Sequence, residues 1–116
     1  MKFENIIRSI FLLFSKRKRY QKIEIKDNVP PIGNTNSSTI VLYRKNEQFS
    51  WARFKCPCGC GQMITISLSP DIVPYWETYI HTQNGRKTVT FQPSIWISMP
   101  NCNAHFYIRN SEVFWV

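Results

Sequence analysis

Cys56-Pro57-Cys58-Gly59-Cys60-Gly61, followed after one residue by Met63-Ile64-Thr65-Ile66-Ser67-Leu68, is the stretch on which the fold turns. Its second half alternates apolar and polar, the period-2 signature of a strand with one buried face. Its first half packs three cysteines into five residues, with glycine between and after them. Glycine tolerates the positive φ that a tight turn around an ion demands, and thiols this close in sequence strain any disulfide between them. In a reducing compartment such clustering points to metal. A fourth cysteine stands downstream in Cys102-Asn103-Ala104-His105. Zinc takes four thiolate or imidazole ligands in a tetrahedron, so Cys56, Cys58, Cys60, Cys102 and His105 compete for four positions.

Outward from this stretch the same period continues. Upstream, Thr39–Tyr43 and Phe49–Lys55 read as strands around a turn at 44–48, with Phe49, Trp51 and Arg53 on one face. Downstream, Trp76–His81 and Lys87–Phe91 flank Asn84-Gly85, the strongest hairpin signal in the chain, and Phe106–Arg109 with Glu112–Trp115 close around Asn110-Ser111. The expected fold is mostly β: one small zinc-stabilised domain over 39–116, with about seven short strands in hairpins and an N-terminal amphipathic helix. Core packing is the expected role of Trp51, Trp76, Trp96 and Trp115.

The helix is expected over residues 3–14, where Phe3, Ile6, Ile7, Ile10, Leu13 and Phe14 recur at helical spacing. At 1.5 Å per residue it would be about 18 Å long, too short to cross a membrane. The short apolar run precedes its basic cluster, Lys16 to Arg19, which is the wrong order for a secretory signal. A cytoplasmic protein is therefore expected, with the inner membrane face as a second location, because an apolar helix face beside basic residues suits anionic headgroups. Docking of the helix on the body or on a second copy is the other reading. Lys22 to Lys26 alternates and reads as an extended exit, and 28–38, with Pro30, Pro31 and Gly33, reads as a linker from a 1–27 arm to the body.

With 116 residues the chain has the length of one domain, and 43% apolar and 15% aromatic content argue against disorder. Of the net charge of +8, residues 1–27 carry +5. The body is only mildly basic. That weighs against nucleic acid as the partner, since basic and aromatic residues do not interleave there beyond Arg44, Lys45, Arg53 and Lys55.

The set Cys-Pro-Cys-Gly-Cys-Gly, Leu68-Ser69-Pro70, Trp76, Pro93-Ser94-Ile95, Cys102-x-x-His105-Phe106 and Trp115 resembles a family of small bacterial and phage zinc-binding proteins, over roughly residues 39–116. The family is linked to bacterial ubiquitin-like conjugation pathways. The resemblance implies a peptidase that matures or deconjugates a ubiquitin-like modifier, with that modifier or its conjugating enzymes as partners. It places the metal on Cys56, Cys58, Cys60, Cys102 and His105, and the Pro-Ser pair on Pro93 and Ser94. Where members carry His before Pro-Ser this chain has Gln92, and where they end in Trp-Cys it has Trp115-Val116.

A serine mechanism needs a hydroxyl bonded to a base. Ser94 with His105 is the available pair, provided the four cysteines fill the metal site. A metal mechanism would need an open site and a carboxylate base, for which Glu77 and Glu47 are the candidates. A non-catalytic zinc-ribbon-like adaptor that binds a protein partner is the alternative.

Overall fold

In the computed structural model, which describes residues 18–116, the period-2 runs become eight strands in two four-stranded sheets. The first sheet runs β1 (Lys22–Asp27), β2 (Thr39–Lys45), β3 (Gln48–Lys55), β4 (Met63–Ser67). The second runs β5 (Glu77–Gln83), β6 (Arg86–Met99), β7 (Cys102–Arg109), β8 (Glu112–Trp115). The described residues contain no helix, and the helix expected over 3–14 lies outside them.

Every neighbouring pair is antiparallel except β1 and β2, which run parallel with Lys22 opposite Thr39. Parallel neighbours cannot be joined by a tight hairpin. The Pro- and Gly-bearing stretch 28–38 is the crossover that returns the chain. Three other connections are two-residue turns with both residues at positive φ: Asn46-Glu47, Asn84-Gly85 and Asn110-Ser111. Turns of that hand match the natural twist of the strands they join.

The two sheets face each other across one core. Ile40, Leu42, Ala52, Phe54, Ile64 and Ile66 of the first meet Val89, Phe91, Ile95, Phe106, Ile108 and Val113 of the second. Phe54 and Phe91 stack across the gap at 6.2 Å between ring centres, and Tyr20 packs its edge on Phe54 at 5.7 Å. Tyr20, just before β1, is only 1% exposed and its phenol donates to Lys55 O at 2.7 Å.

Two strands depart most from the sequence expectation. β6 runs on through Pro93 and Ser94, because a bulge absorbs the proline: pairing jumps from Phe91–Ile108 to Ile95–Phe106, leaving 92–94 opposite Tyr107 alone. β7 begins at Cys102 instead of Phe106. Phenylalanines, not tryptophans, fill the core. Trp51 and Trp76 are half-buried, while Trp115 is exposed and Trp96 is 68% exposed.

Candidate functional site

The cysteines come together from both sheets. Cys56 directly follows β3, and the turn it opens folds back with Cys56 N–H donating to Gln62 O and Gly59 N–H to Cys56 O. Gly59 and Gly61 take φ of 91° and 81°, conformations closed to most side chains. Cys102 arrives from the start of β7, beyond the Pro100-Asn101 turn. The Cys56–Cys58 sulfurs lie 3.3 Å apart and Cys102 lies 3.4 Å from each. All four Sγ atoms, Cys60 included, fall within 4.8 Å of one another, and the group could hold a metal ion. Burial pushes the Cys56 thiol up; at Cys58 burial is again the largest single effect, but hydrogen bonds from Cys56, the Cys60 backbone, Cys102 and Cys60 together outweigh it and bring the thiol down to about 7. Cys58 therefore gives up its proton before Cys56 and Cys102, whose thiols are held above the ordinary value, and loss of a thiol proton is the step a metal requires.

His105 is elsewhere. Along a strand, side chains three residues apart point to opposite faces. On β7 Cys102, Ala104, Phe106 and Ile108 are buried toward the core, whereas His105 and Tyr107 lie on the outer face. The Cys-x-x-His spacing therefore divides the pair between faces, about 10 Å apart along the strand.

On that outer face His105 meets Ser94. The Ser94 Oγ to His105 Nε2 distance is 2.8 Å. The bulge in β6 places this hydroxyl, and the Ser94 carbonyl accepts from Trp76 Nε1 at 3.2 Å. Trp96, paired across from His105, stacks its indole on the imidazole at 5.1 Å and 10°. Its Nε1–H donates to Asn103 Oδ1 at 3.1 Å. The imidazole thus has Ser94 at its edge and an aromatic ring on its face.

Beside the pair lies an open cleft of about 410 Å³ lined by Glu77, Gln92, Pro93, Tyr107 and Arg109. Glu77 sits opposite Gln92 and accepts a hydrogen bond from the Tyr79 phenol. Arg109 lays its guanidinium 4.4 Å from the Tyr107 ring. Neither candidate carboxylate base lies with the four cysteines: Glu77 is on this cleft, and Glu47 is in the β2–β3 turn. The sequence reading misses Trp96, Tyr107 and Arg109 as neighbours of the pair. The signal available for the last two is the alternation His105, Tyr107, Arg109 along one strand.

The family model described as "Bacterial ubiquitination-like system serine protease (BubE)" matches residues 26–116. No curated protein and no solved structure matches.

Proposed function

The chain belongs to the BubE family, and from that premise we propose that it is a serine peptidase processing or deconjugating a ubiquitin-like modifier, with Ser94 as nucleophile and His105 as base. The observation that carries this reading is the 2.8 Å contact between Ser94 Oγ and His105 Nε2, within the reach a nucleophile and its base need. With its proton on Nδ1, the imidazole accepts the Ser94 O–H at Nε2. As Oγ bonds to the scissile carbonyl carbon, that proton passes to Nε2 and is then given to the departing amine. Water, losing a proton to the same nitrogen, cleaves the acyl ester and restores Ser94. The cation held on the ring during these steps lies against the Trp96 indole face, whose quadrupole attracts it.

The metal is zinc in this reading, held by Cys56, Cys58, Cys60 and Cys102. Zinc–sulfur bonds of about 2.3 Å in a tetrahedron set sulfurs about 3.8 Å apart, and the observed 3.3–3.4 Å separations need only a small expansion. Four protein sulfurs close the coordination shell. The ion would supply a cross-link between the β3–β4 turn and β7, and catalysis falls to the outer face.

A non-catalytic adaptor is the second reading, favoured by a cysteine set that would close around the metal and leave it no open position for chemistry. The test is labelling by a fluorophosphonate together with cleavage of a bacterial ubiquitin-like protein carrying a C-terminal extension. Labelling and cleavage by the native chain are expected, with both lost, by about a thousandfold or more, in Ser94→Ala and His105→Ala. A folded, zinc-loaded chain that is neither labelled nor active would leave the adaptor.

A further inference from the structure

β6 is covered unevenly. β5 pairs with it only from Arg86 to Gln92, whereas β7 pairs with it up to Met99. Among the described residues, no strand lies along the β5 side of residues 94–99.

The direction of the main-chain groups there follows from the ladder. The His105 carbonyl accepts the Val116 N–H, on the β8 side. In an antiparallel pair, a residue whose polar groups point to one neighbour does not bond the other, so Trp96 and His105 form a non-hydrogen-bonded pair. The N–H and C=O of Trp96 consequently point away from β7, and by the two-residue alternation so do those of Ser98. Ser94 follows the same phase, and its carbonyl is taken by Trp76 Nε1. The open edge thus ends at the nucleophile, stopped by the Trp76 side chain.

Edges left open are normally guarded by charge, proline or a covering element. β1, the outer strand of the other sheet, carries Lys22, Glu24, Lys26 and Asp27. The stretch Ser94-Ile95-Trp96-Ile97-Ser98 carries no charge and no proline. Such an edge is a template for an extended chain.

We infer that the open edge of β6 from Ser94 to Ser98 takes up an extended stretch of substrate as an added strand, whose pairing with the Trp96 and Ser98 main chain carries the scissile carbonyl to Ser94 Oγ. This rests on the peptidase reading and gives it a substrate class: a flexible polypeptide tail, in place of a folded surface or a small amide. The cleft of Glu77, Gln92, Pro93, Tyr107 and Arg109 continues the track on the far side of the pair.

The discriminating variant is Ser98→Pro. Its N–H faces the open edge, so proline removes a donor for the incoming strand without taking a β6–β7 bond. Ser98→Pro is expected to lower kcat/KM on the tail-extended ubiquitin-like protein by about tenfold, while fluorophosphonate labelling of Ser94 keeps its native rate. Hydrogen exchange in Ser94→Ala mixed with the same protein reads the pairing without turnover: the Trp96 and Ser98 amides gain protection, and Ile95 and Ile97, already bonded to β7, do not change. Native cleavage by Ser98→Pro, or no protection at Trp96 and Ser98, overturns the inference. So does protection that is present without substrate and grows with protein concentration, which would give the edge to a second copy. Failure of the peptidase reading looks different: no labelling of Ser94, with the exchange data then deciding the pairing alone.

Discussion

Tyr20 places one hydroxyl where both its loss and its ionisation can be read. The ring is buried against Phe54 and the phenol donates to Lys55 O at 2.7 Å. Tyr20→Phe keeps the ring and orphans that carbonyl, and it should lower stability by about 1 kcal/mol in urea unfolding at neutral pH. Burial, reinforced by the nearby Cys56 and Cys58, pushes the phenol well above its ordinary 10.0. Above pH 10 the unfolded chain has therefore lost a proton that the native state keeps. Unfolding then releases that proton, so stability falls as pH rises past this point. The fall should be visibly shallower in Tyr20→Phe; equal slopes for the two proteins would remove the phenol as its cause. Ser94 and His105 mark the limit of legibility at this scale. Each residue is nameable from the Pro-Ser and Cys-x-x-His motifs, but their contact depends on a bulge that breaks the period-2 pattern on which strand reading rests. The same interruption hides Trp96, which reads as core by residue type and lies on the outer face by register.

Strands with regular alternation and a positive-φ turn are read well from the chain, because both signals are local. Asn84-Gly85 and Asn110-Ser111 mark two of the hairpins directly. β1 shows its alternation over Lys22 to Lys26, yet its parallel partner lies across an eleven-residue crossover that no local pattern announces. The cysteine turn belongs to this scale as well. Its three cysteines sit between β3 and β4 of one sheet, and Cys102 opens β7 of the other, so a metal held by all four, zinc in the proposed reading, would tie element to element. Chelation should lower the melting temperature by more than about 10 °C, the size expected for several kcal/mol of lost metal binding in a domain this small. Cys102→Ser should melt near the chelated native protein and respond little to added chelator. A metal with a catalytic role instead would leave melting nearly unchanged on chelation while abolishing cleavage.

At the scale of the whole molecule, residues 18–27 act as a clasp. Val113 N–H donates to Lys18 O, Tyr20 N–H donates to Ser111 O, and Arg19 pairs with Glu112, all at β8 or the turn that leads into it. Two residues later the chain has changed sheets and runs along β2 as β1, where Arg44 grips Asp27 through two hydrogen bonds of 2.7 and 3.0 Å. The segment therefore bridges the edges of both sheets and seats Tyr20 between them. Charge alone assigns these residues to a basic arm, because Lys18, Arg19, Lys22 and Lys26 outweigh the few apolar positions. The family match begins at residue 26, inside β1. A chain trimmed to 26–116 keeps the Ser94–His105 pair and all four cysteines but loses Tyr20 and most of the β1–β2 ladder. Removing a buried aromatic side chain alone costs about 3–5 kcal/mol, so 26–116 should unfold at markedly lower urea than 18–116, with a smaller m-value because less surface is buried. Matching midpoints for the two chains would show that the clasp rests on the sandwich without holding it closed. A large gap between them would make residues 18–27 part of the domain that positions the site.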